Sequence, residues 1–444
     1  MREKEFLPAV KDRLGIEELN EMQKKMMASA SEPHDIILLS PTGSGKTLAF
    51  TLPVMKMLKP STGRVQCLVI APSRELVVQI AGVMKEVAHE FRVVALYGGH
   101  NVEDEVNSLK VVPDIVVSTP GRLLDHAVRR NIDLLPVRIL VLDEFDKSLE
   151  LGFDEEMGKI VKRMKNVSRY LLTSATPCDT LPDFLNLTSP VTMDFLDKNR
   201  ELHSRMTVHR VDSDGKDKLD SLLNLLHTIN AGTGLQKSII FVNHRESAER
   251  VVEFLKNKKV SAVLYHGALD QRERETALAL FNNGSRPVLV ATDLAARGLD
   301  IEKVASVIHY HQPLTGEAYT HRNGRTARVD KEGDVYVLVG PGEEVREFVS
   351  FDDALPLSGS TGSNLRSDYV SLYISAGKRE KVSRGDILGF LIKEGGLGSC
   401  DIGKINVFDH YSIVAVRANA VNGLLATVSG KKLKREKRRI SLLE

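Results

Sequence analysis

A glycine-rich loop near the start of the chain restricts its possible folds more than any other feature. The loop reads SPTGSGKT, spans residues 40–47 and lies between the apolar run IILLS and an amphipathic stretch. A strand, a glycine-rich turn and a helix in this order are typical of a phosphate-binding loop, because glycines let the backbone wrap a phosphate and the helix N-terminus offers unpaired amides. A glycine-rich turn without a nucleotide would need neither the lysine nor the threonine that follow. The residues that we expect to bind ATP here are Thr42, Gly43, Ser44, Gly45, Lys46 and Thr47.

Short apolar runs alternate with amphipathic stretches through about the first 350 residues. Examples are IILLS before TLAFTLPVMKML, CLVIA before RELVVQIAGVMKEVA, and SIIFV before ESAERVVEFLKN. Buried parallel strands joined by crossover helices produce this pattern, and such doubly wound α/β sheets bind ligands at the carboxyl ends of their strands. A pause in the alternation around residues 197–213 predicts two such domains, residues 1–203 and residues 204–351.

The last part of the chain has a different pattern. Residues 352–367 are rich in Ser and Gly, which predicts a flexible linker. Residues 368–444 then predict a β-α-β-β-α-β order: strand VSLYISAG, a helix near RGDILGFLIKEGG, strands IGKINVFD and SIVAVR, a helix over residues 419–428, and strand RRISLL. This order predicts a small α+β domain of the RRM-like, ferredoxin type.

The net charge of +2 is unevenly distributed. Residues 366–444 contain 15 Lys/Arg and 8 Asp/Glu, so that this part carries +7 and the rest of the chain −5. An acidic body with a basic module suggests a polyanionic ligand for the module. A solvated, charged C-terminus that binds nothing is the alternative.

The segment RILVLDEFD places two acids at the end of an apolar strand. Asp143 there can hold Mg²⁺, as Thr47 can from the loop, and Glu144 can accept a proton from the attacking water. Acidic residues are also favoured at helix starts for electrostatic reasons. With a phosphate-binding loop upstream, we favour the catalytic interpretation, in which Lys46, Asp143 and Glu144 act on ATP.

Further short motifs identify the family that the chain resembles. In order, they are PSREL at 72–76, GG at 98–99, TPGR at 119–122, DEFD at 143–146, SAT at 174–176, QRER at 271–274, ATD at 291–293, RGLD at 297–300 and HRNGRTAR at 321–328. Over about residues 6–345 this series resembles a DEAD-box ATP-dependent RNA helicase. The resemblance implies two RecA-like domains that close on ATP and RNA and open short duplexes locally.

The resemblance also implies roles for single residues around ATP. Gln23 matches the glutamine that reads adenine, since an amide can bond both N6 and N7, and Phe6 matches an upstream aromatic. Asp300 matches a ribose contact. Arg325 and Arg328 match catalytic arginines that stabilise transition-state charge. The residues expected to couple ATP to RNA are Ser174, Thr176 and His321.

A second set of positions matches the RNA grip of the family, that is, the residues that hold the RNA backbone. Hydroxyls, backbone amides and arginines can hold phosphates without reading sequence, although for each position alone a surface salt bridge or helix cap is an alternative. The positions are Arg74, Gly99, Thr119, Gly121, Arg122, Arg274 and Thr292.

Some positions depart from the family pattern. Phe145 stands where alanine is usual, and overpacking by the ring would cost about 1–3 kcal/mol unless its neighbours compensate. We expect compensation and retained activity. Ser40 replaces alanine and Ala327 replaces glycine, both small changes. Adenine selectivity is less secure, because residues 16–21 lack the usual aromatic and prolines.

The C-terminal domain resembles the DbpA-type RNA-binding domain, most clearly in GDILGFLI and IGKINVFDHYSIVAVR. The resemblance implies a role in large-subunit assembly, because in the best-known relatives the domain anchors the helicase to structured 23S ribosomal RNA. Other relatives act in cold adaptation or messenger RNA turnover. Tyr373, Phe408 and Tyr411 could stack on bases or belong to the core. The basic run at 431–439 could clamp phosphates or protect a strand edge, and next to Lys404 we favour RNA binding, with Lys431 and Lys432 as contacts.

Three further expectations concern partners and location. The expected partners are single-stranded and short duplex RNA, 23S-type ribosomal RNA or pre-ribosomal particles; the expected cofactors are ATP and Mg²⁺. Neither a bilayer-spanning apolar run nor a secretory signal is seen, and the three cysteines match no zinc or disulfide spacing, so we expect a cytoplasmic monomer without a membrane partner. The rival functions are a motor acting on DNA or protein, and an ATP-dependent RNA clamp with slow turnover.

Overall fold

The computed structural model of the protein describes residues 3–41, 43–99, 101–177, 181–196, 206–293, 301, 304–326, 333–357, 364–434 and 436–443. They form two compact units, the first with the described residues up to 196 and the second with the described residues from 206 onward. Within this described part of the chain, no helix is both long enough and apolar enough to span a membrane.

The first unit is built around a parallel sheet of seven strands. The strands are β1 Ile36–Leu39, β2 Cys67–Ile70, β3 Val93–Leu96, β4 Ile115–Ser118, β5 Ile139–Leu142, β6 Arg169–Ser174 and β7 Val191–Asp194. Its helices are α1 Glu3–Leu14, α2 Glu21–Ser29, α3 Lys46–Met57, α4 Arg74–Val87, α5 Val102–Leu109, α6 Pro120–Val128, α7 Phe145–Glu150 and α8 Asp154–Val161. Four of the strands are buried along their whole length, because helices cover both faces of the sheet.

The strand order of this sheet is β3-β4-β2-β5-β6-β1-β7. The chain segments that follow β1, β5 and β6 therefore emerge side by side at one half of the carboxyl edge. Those that follow β2, β3 and β4 emerge together at the other half. This order predicts two neighbouring sites on one edge.

The second unit contains a parallel sheet of the same size, in the order β10-β11-β9-β12-β13-β8-β14. Its strands are β8 Met206–Asp212, β9 Ser238–Val242, β10 Ala262–Tyr265, β11 Val288–Thr292, β12 Ser306–His309, β13 Gly333–Val339 and β14 Asp353–Ala354. The helices are α9 Leu219–Ile229, α10 Arg245–Asn257, α11 Gln271–Asn282 and α12 Gly316–Asn323. The predicted pair of doubly wound parallel sheets is thus confirmed.

The described parts of the predicted linker, residues 352–367, pack on this second sheet. Asp353–Ala354 pairs with β8, and Leu365 is buried in the core that α9 and α10 also line. The Ser367 hydroxyl donates to the Gly284 carbonyl oxygen at 2.6 Å. These contacts tether both ends of the segment to the second sheet, and the exact domain limits stay a prediction.

The C-terminal module has the predicted β-α-β-β-α-β order. It contains β15 Tyr369–Ile374, α13 Arg384–Lys393, β16 Ile402–Val407, β17 Ser412–Arg417, α14 Val421–Val428 and β20 Ile440–Leu443. The antiparallel sheet has the order β16-β17-β15-β20. Short 3-10 turns, Ser399–Asp401 and Ala418–Ala420, precede β16 and α14, and a hairpin of β18 Lys432–Leu433 and β19 Glu436–Lys437 precedes the last strand.

Candidate active site

The phosphate-binding loop joins β1 to α3 at the carboxyl edge of the first sheet. Gly43 and Gly45 have φ values of 77° and 89°, a left-handed conformation that disfavours other residues. A Cβ atom at Gly45 would also lie 2.6 Å from Nε2 of Gln23. The buried Lys46 donates through Nζ to the Ser40 carbonyl oxygen at 2.9 Å. The loop is therefore shaped for a phosphate, with the lysine held at its rim.

Gln23 and Asn20 connect the N-terminal helices to this loop. The two residues form a reciprocal capping box at the start of α2. The Nε2 atom of Gln23 donates to the Gly45 carbonyl oxygen at 3.4 Å, and Nδ2 of Asn20 donates to that of Ser44 at 3.1 Å. The structure thus brings Gln23 against the loop, while adenine recognition stays a prediction. Phe6 is fully buried in the core, so its ring anchors α1 there.

The two predicted catalytic acids follow β5 directly. Asp143 is 2% exposed, and its Oδ1 accepts a hydrogen bond from the Thr173 hydroxyl. Burial raises the pKa of Asp143, and the nearby Lys46 ammonium partly opposes this shift. Glu144 has a left-handed φ of 47°, a strained state for a non-glycine residue, and its amide donates to the Thr173 hydroxyl at 3.2 Å. Thr173 therefore bonds the carboxylate of Asp143 and the backbone of Glu144.

The acidic motif also contacts the SAT segment after β6. Oδ2 of Asp146 accepts hydrogen bonds from the amides of Ala175 and Thr176 at 3.1 and 3.2 Å, and from the Thr176 hydroxyl at 2.9 Å. The Ser174 hydroxyl donates to the Thr176 carbonyl oxygen. A change at the ATP site can therefore reach Ser174 and Thr176 through one carboxylate.

The donors at this site fit Mg²⁺ bound together with a nucleotide. Among the described residues, no group of three or more His, Cys, Asp or Glu side chains converges as a metal cage. Mg²⁺ commonly uses one or two protein oxygens, phosphate oxygens and water. A buried carboxylate at Asp143 and a half-exposed hydroxyl at Thr47 suit that role.

The predicted RNA residues of the first unit lie at the other half of the edge. Arg74 begins α4 after β2, and its guanidinium lies over Gly98, where an added Cβ would come within 3.1 Å of Nη2. Gly99 has a φ of 96°, and a Cβ at Gly121 would meet open space. Two glycines with accessible backbone beside an arginine form a surface suited to phosphate.

A buried carboxylate organises the rest of this surface. Oε2 of Glu105 lies 3.3 Å from Nε of Arg122 and 2.7 Å from Nε2 of His126, while Oε1 accepts from the Tyr97 amide at 2.8 Å. Thr119 caps α6 without using its hydroxyl for the cap, which leaves that hydroxyl to other partners. Glu105 thus holds Arg122 beside the strand ends.

In the second unit, Arg322 of α12 ties together three strand ends. It bonds both carboxylate oxygens of Asp293, at 2.5 and 2.7 Å, and accepting oxygens of Asn243 and His311, each at 2.8 Å. Burial and the Arg322 charge lower the pKa of His309 to about 3, so this histidine is neutral and can accept from Nη1 of Arg322. The network fixes the backbone that carries the motifs of this unit.

Other predicted residues of the second unit lie close to this network. Thr292 ends β11, immediately before Asp293. His321 lies in α12, with Nδ1 3.5 Å from Oε1 of Glu317. Arg325 follows the same helix, its amide donating to the Arg322 carbonyl oxygen at 3.2 Å. Three predicted site residues lie outside the described residues: Thr42, Asp300 and Arg328.

The three aromatic residues of the C-terminal module do not form an open stacking platform. Tyr411 is 8% exposed and packs in a cluster with Ala279 and Leu280 of α11; Tyr373 and Phe408 lie partly buried in the same cluster. Of the two alternatives, the structure shows these rings packed in an apolar cluster, as expected for core residues. The sheet face prefers the apolar side of α11 because burying it there removes apolar surface from water.

The basic residues of the module lie on other surfaces. Lys404 is exposed on β16. Lys431 pairs with Glu394 at 3.1 Å, so part of its charge is already balanced. Lys432 is exposed and stands directly opposite Lys437 in the β18–β19 hairpin. Like charges directly opposite each other destabilise a strand pair, and a bound phosphate would relieve that repulsion.

Sequence reasoning missed several residues that build these sites. Thr173 precedes the quoted SAT motif, and Asp146 and Arg322 stand inside quoted motifs without an assigned role. Their positions in the motifs were the available signal. Glu105 carried no signal, because only the strand order brings α5 beside α6.

Comparison with known proteins agrees with this geometry. Residues 20–184 match the DEAD/DEAH box helicase model, residues 217–330 the helicase conserved C-terminal domain, and residues 371–442 the DbpA RNA binding domain. The chain is 31% identical to the ATP-dependent RNA helicase DbpA of Escherichia coli (strain K12), covering 97% of this chain and 96% of that protein. It is 30% identical to the DbpA of Bacillus subtilis (strain 168), covering 95% of each chain.

Solved structures show the same fold. The helicase Mss116 bound to single-stranded RNA and UDP-BeF is 26% identical, with a TM-score of 0.69, and the match covers 81% of this chain and 78% of that one. Dbp5 of S. cerevisiae bound to RNA and ADP BeF3 also superposes with a TM-score of 0.69 at 24% identity, covering 80% and 93%.

Proposed function

Because the chain belongs to the DEAD-box family of ATP-dependent RNA helicases, we propose that it remodels structured ribosomal RNA during assembly of the large ribosomal subunit. The observation that carries this proposal is the C-terminal module, which matches the DbpA RNA binding domain over residues 371–442. The similarity to bacterial DbpA proteins extends over nearly the whole chain, including this module. In this proposal the C-terminal module selects the target RNA, and the two RecA-like domains form the motor that acts on it.

The first domain supplies the residues for ATP hydrolysis. Lys46 turns from the Ser40 carbonyl oxygen to the β- and γ-phosphates. Asp143 and Thr47 would hold Mg²⁺, which would neutralise phosphate charge. Glu144, whose backbone amide is held by Thr173, accepts a proton from the attacking water. Gln23, next to the loop, reads the adenine, and Asp300 of the second domain contacts the ribose.

Domain closure completes the site in this proposal. Arg325 and Arg328 reach the γ-phosphate and stabilise the charge of the transition state. The Arg322 network keeps the segment that carries Arg325 in place. His321 joins this segment to Ser174 and Thr176 of the first domain, so that hydrolysis is coupled to the RNA.

RNA binds both domains through surfaces that contact its sugar-phosphate backbone. Arg74, Gly99 and Arg122 grip phosphates on the first domain, together with Thr119 and Gly121. Arg274 and Thr292 do so on the second domain. These groups contact phosphate and sugar, so the motor acts on many sequences.

The exposed lysines of the module add the affinity for structured RNA. Lys432 and Lys404 carry it, and Lys431 contributes after exchanging Glu394 for a phosphate. Each phosphate contact steepens the salt dependence of RNA binding by about one unit of log–log slope. A Lys432→Ala/Lys437→Ala variant should lower both the affinity for ribosomal RNA and this slope.

Crosslinking with sequencing of bound RNA tests the ribosomal target. The proteins to compare are the full chain, the Lys432→Ala/Lys437→Ala variant and a chain ending at Asp368. The shortened chain keeps Leu365, which is buried in the core of the second domain. Ribosomal reads should dominate for the full chain and fall for both variants. Messenger RNA reads that persist in all three would favour a role in messenger RNA turnover and contradict the proposal.

The choice of RNA over DNA has its own test. ATP hydrolysis should be stimulated by an RNA strand and unaffected by a DNA strand of equal sequence, because the 2′-hydroxyl distinguishes them. Equal stimulation would favour a DNA motor. Glu144→Gln should abolish phosphate release; unchanged release would favour a clamp that barely hydrolyses ATP.

A further inference from the structure

The sheet of the C-terminal module packs on one helix of the second domain, α11. Arg272 of this helix lies over the rings of Tyr411 and Tyr373, with its guanidinium carbon 5.0 and 5.7 Å from the ring centroids. Its Nη2 also donates to the Tyr373 hydroxyl at 3.2 Å. Cation–π contacts and a hydrogen bond thus hold the amino end of α11 against the module.

Apolar and polar contacts extend along the rest of the helix. Ala279 and Leu280 are buried against Ile413 of β17. At the carboxyl end, Nδ2 of Asn283 donates to the Ser371 hydroxyl at 2.9 Å. The helix is therefore held between its own domain and the module, and the module contributes directly to its position.

A chain of hydrogen bonds runs from the module to Arg274. The Tyr411 hydroxyl donates to Oε2 of Glu275 at 3.4 Å, and Oε1 of Glu275 accepts from Nε2 of Gln271 at 3.1 Å. Oε1 of Gln271 then accepts from Nη2 of Arg274 at 2.8 Å. Glu275 and Gln271 each bond their two neighbours through two different side-chain atoms. A change at Tyr411 can therefore be passed along these hydrogen bonds to the Arg274 guanidinium.

We propose that Tyr411 and Glu275 are positioning residues for Arg274, so that docking of the C-terminal module orients the RNA grip of the second domain. This inference rests on the proposed function, in which Arg274 contacts RNA. It assigns the module a second task besides target selection: the module prepares the motor for any RNA, including RNA that the module itself does not bind.

Tyr411 acts through Glu275 and not by touching RNA. Its side chain is largely buried between the module and α11. Burial raises the pKa of Tyr411 to about 12, so the hydroxyl keeps its proton at neutral pH and remains a donor to Glu275. Tyr411→Phe removes this donor and keeps the packed ring.

The test measures RNA-stimulated ATP hydrolysis by the full chain, with a short oligouridine that offers no hairpin to the module. The variants are Arg274→Ala, Tyr411→Phe, Glu275→Gln and the double variant Arg274→Ala/Tyr411→Phe. Tyr369→Phe is the matched control, since this tyrosine lies in the same module but packs on Arg417. Thermal unfolding of each variant verifies that it folds.

We expect Tyr411→Phe and Glu275→Gln each to raise the half-saturating RNA concentration by about three- to tenfold, as expected for a partly transmitted hydrogen bond. The KM for ATP should stay the same in these variants. Tyr369→Phe should have the half-saturating RNA concentration of the unmodified protein. In the Arg274→Ala background, Tyr411→Phe should have no further effect, because the residue that it positions is gone.

Two outcomes would overturn the proposal in different ways. If Arg274→Ala leaves the half-saturating RNA concentration unchanged, Arg274 is not an RNA contact and the proposed function fails at this residue. If Arg274→Ala raises that concentration but Tyr411→Phe has no effect, or adds its full effect in the double variant, the RNA contact stands and the positioning role is wrong.

Discussion

At the scale of one residue, burial of Asp143 disfavours the charged form of its carboxyl group. Burial raises its pKa, so the folded protein binds a proton to this carboxyl more tightly than the unfolded chain does. Below the unfolded pKa of about 3.9 the group is protonated in both states and has no effect on stability. As the pH rises from this value toward the folded pKa, the carboxyl ionises in the unfolded chain first, which lowers the free energy of unfolding. Above the folded pKa this loss of stability stays constant.

Asp143→Asn should therefore stabilise the protein while it abolishes ATP hydrolysis. The neutral amide removes the buried charge, and each kcal/mol gained raises the melting temperature of a domain of this size by about 2–4 °C. Melting curves at pH 8 and pH 5 measure the effect, and the gain should be larger at pH 8. A lower melting temperature at pH 8 would contradict the sign of this argument.

Phe145, at a position where the family usually has alanine, lies in a core that accepts its ring. It is 1% exposed and belongs to the cluster formed with Met157 and Ile160 of α8. The ring is buried among apolar neighbours, so the core has room for its volume.

Phe145→Ala should lower the free energy of unfolding by about 3–5 kcal/mol, because it leaves a cavity. Chemical denaturation followed by circular dichroism measures this value. Leu151→Ala, an exposed apolar position at the end of the same helix, is the control and should change stability by less than about 0.5 kcal/mol. A variant that stays folded and turns over ATP at least about ten times faster with RNA would show that the ring is a brake, since tenfold corresponds to about 1.4 kcal/mol of barrier.

At the scale of elements, one buried carboxylate joins three pieces of the first domain. Glu105 in α5 bonds the backbone after β3 through the Tyr97 amide, and it also bonds His126 and Arg122 in α6. The capped helices and buried strands around it follow from local sequence. Their meeting at Glu105 follows from the strand order, in which β3 and β4 are neighbours.

Glu105→Gln should weaken the RNA response without changing ATP affinity. Loss of the charge releases Arg122 and removes a hydrogen bond between charged groups, so the half-saturating RNA concentration should rise about three- to tenfold. Titration of RNA in an ATPase assay measures this change. Glu103→Gln, an exposed position on the same helix, should behave as the unmodified protein, and an equal effect of both variants would rule out the role of Glu105.

At the scale of the whole molecule, the proposed closure links the ATP and RNA sites thermodynamically. If one closed state binds both ligands, each ligand must tighten the binding of the other by the same factor. Arg325 on the second domain takes part only in that state, so it contributes to the coupling more than to the binding of ATP alone.

A non-hydrolysable ATP analogue should tighten RNA binding, and RNA should tighten analogue binding, by one common factor of about 5–150. Fluorescence titrations in both directions measure this factor. Arg325→Ala should bring both factors close to one, whereas Arg250→Ala, at an exposed arginine that pairs with Asp217, should preserve them. Unequal factors would mean that the two ligands do not select one common state.

The sequence by itself determined the elements and much of the chemistry. Its apolar runs predicted the parallel strands, the loop at 40–47 predicted the phosphate site, and the motif series indicated the helicase family. These are local signals: a glycine that needs a left-handed φ, or a run buried on both faces, leaves its mark within a few residues.

Only the tertiary structure decided which distant residues meet. Strand order separates the predicted ATP residues from the predicted RNA residues on the edge, joins Asp146 to Thr176, and lets Glu105 hold Arg122. Packing also decided that Tyr411 faces α11, a partner that its own apolar ring does not specify. The local pattern specifies that a side chain will be buried, while its partner depends on long-range contacts that only the folded chain creates.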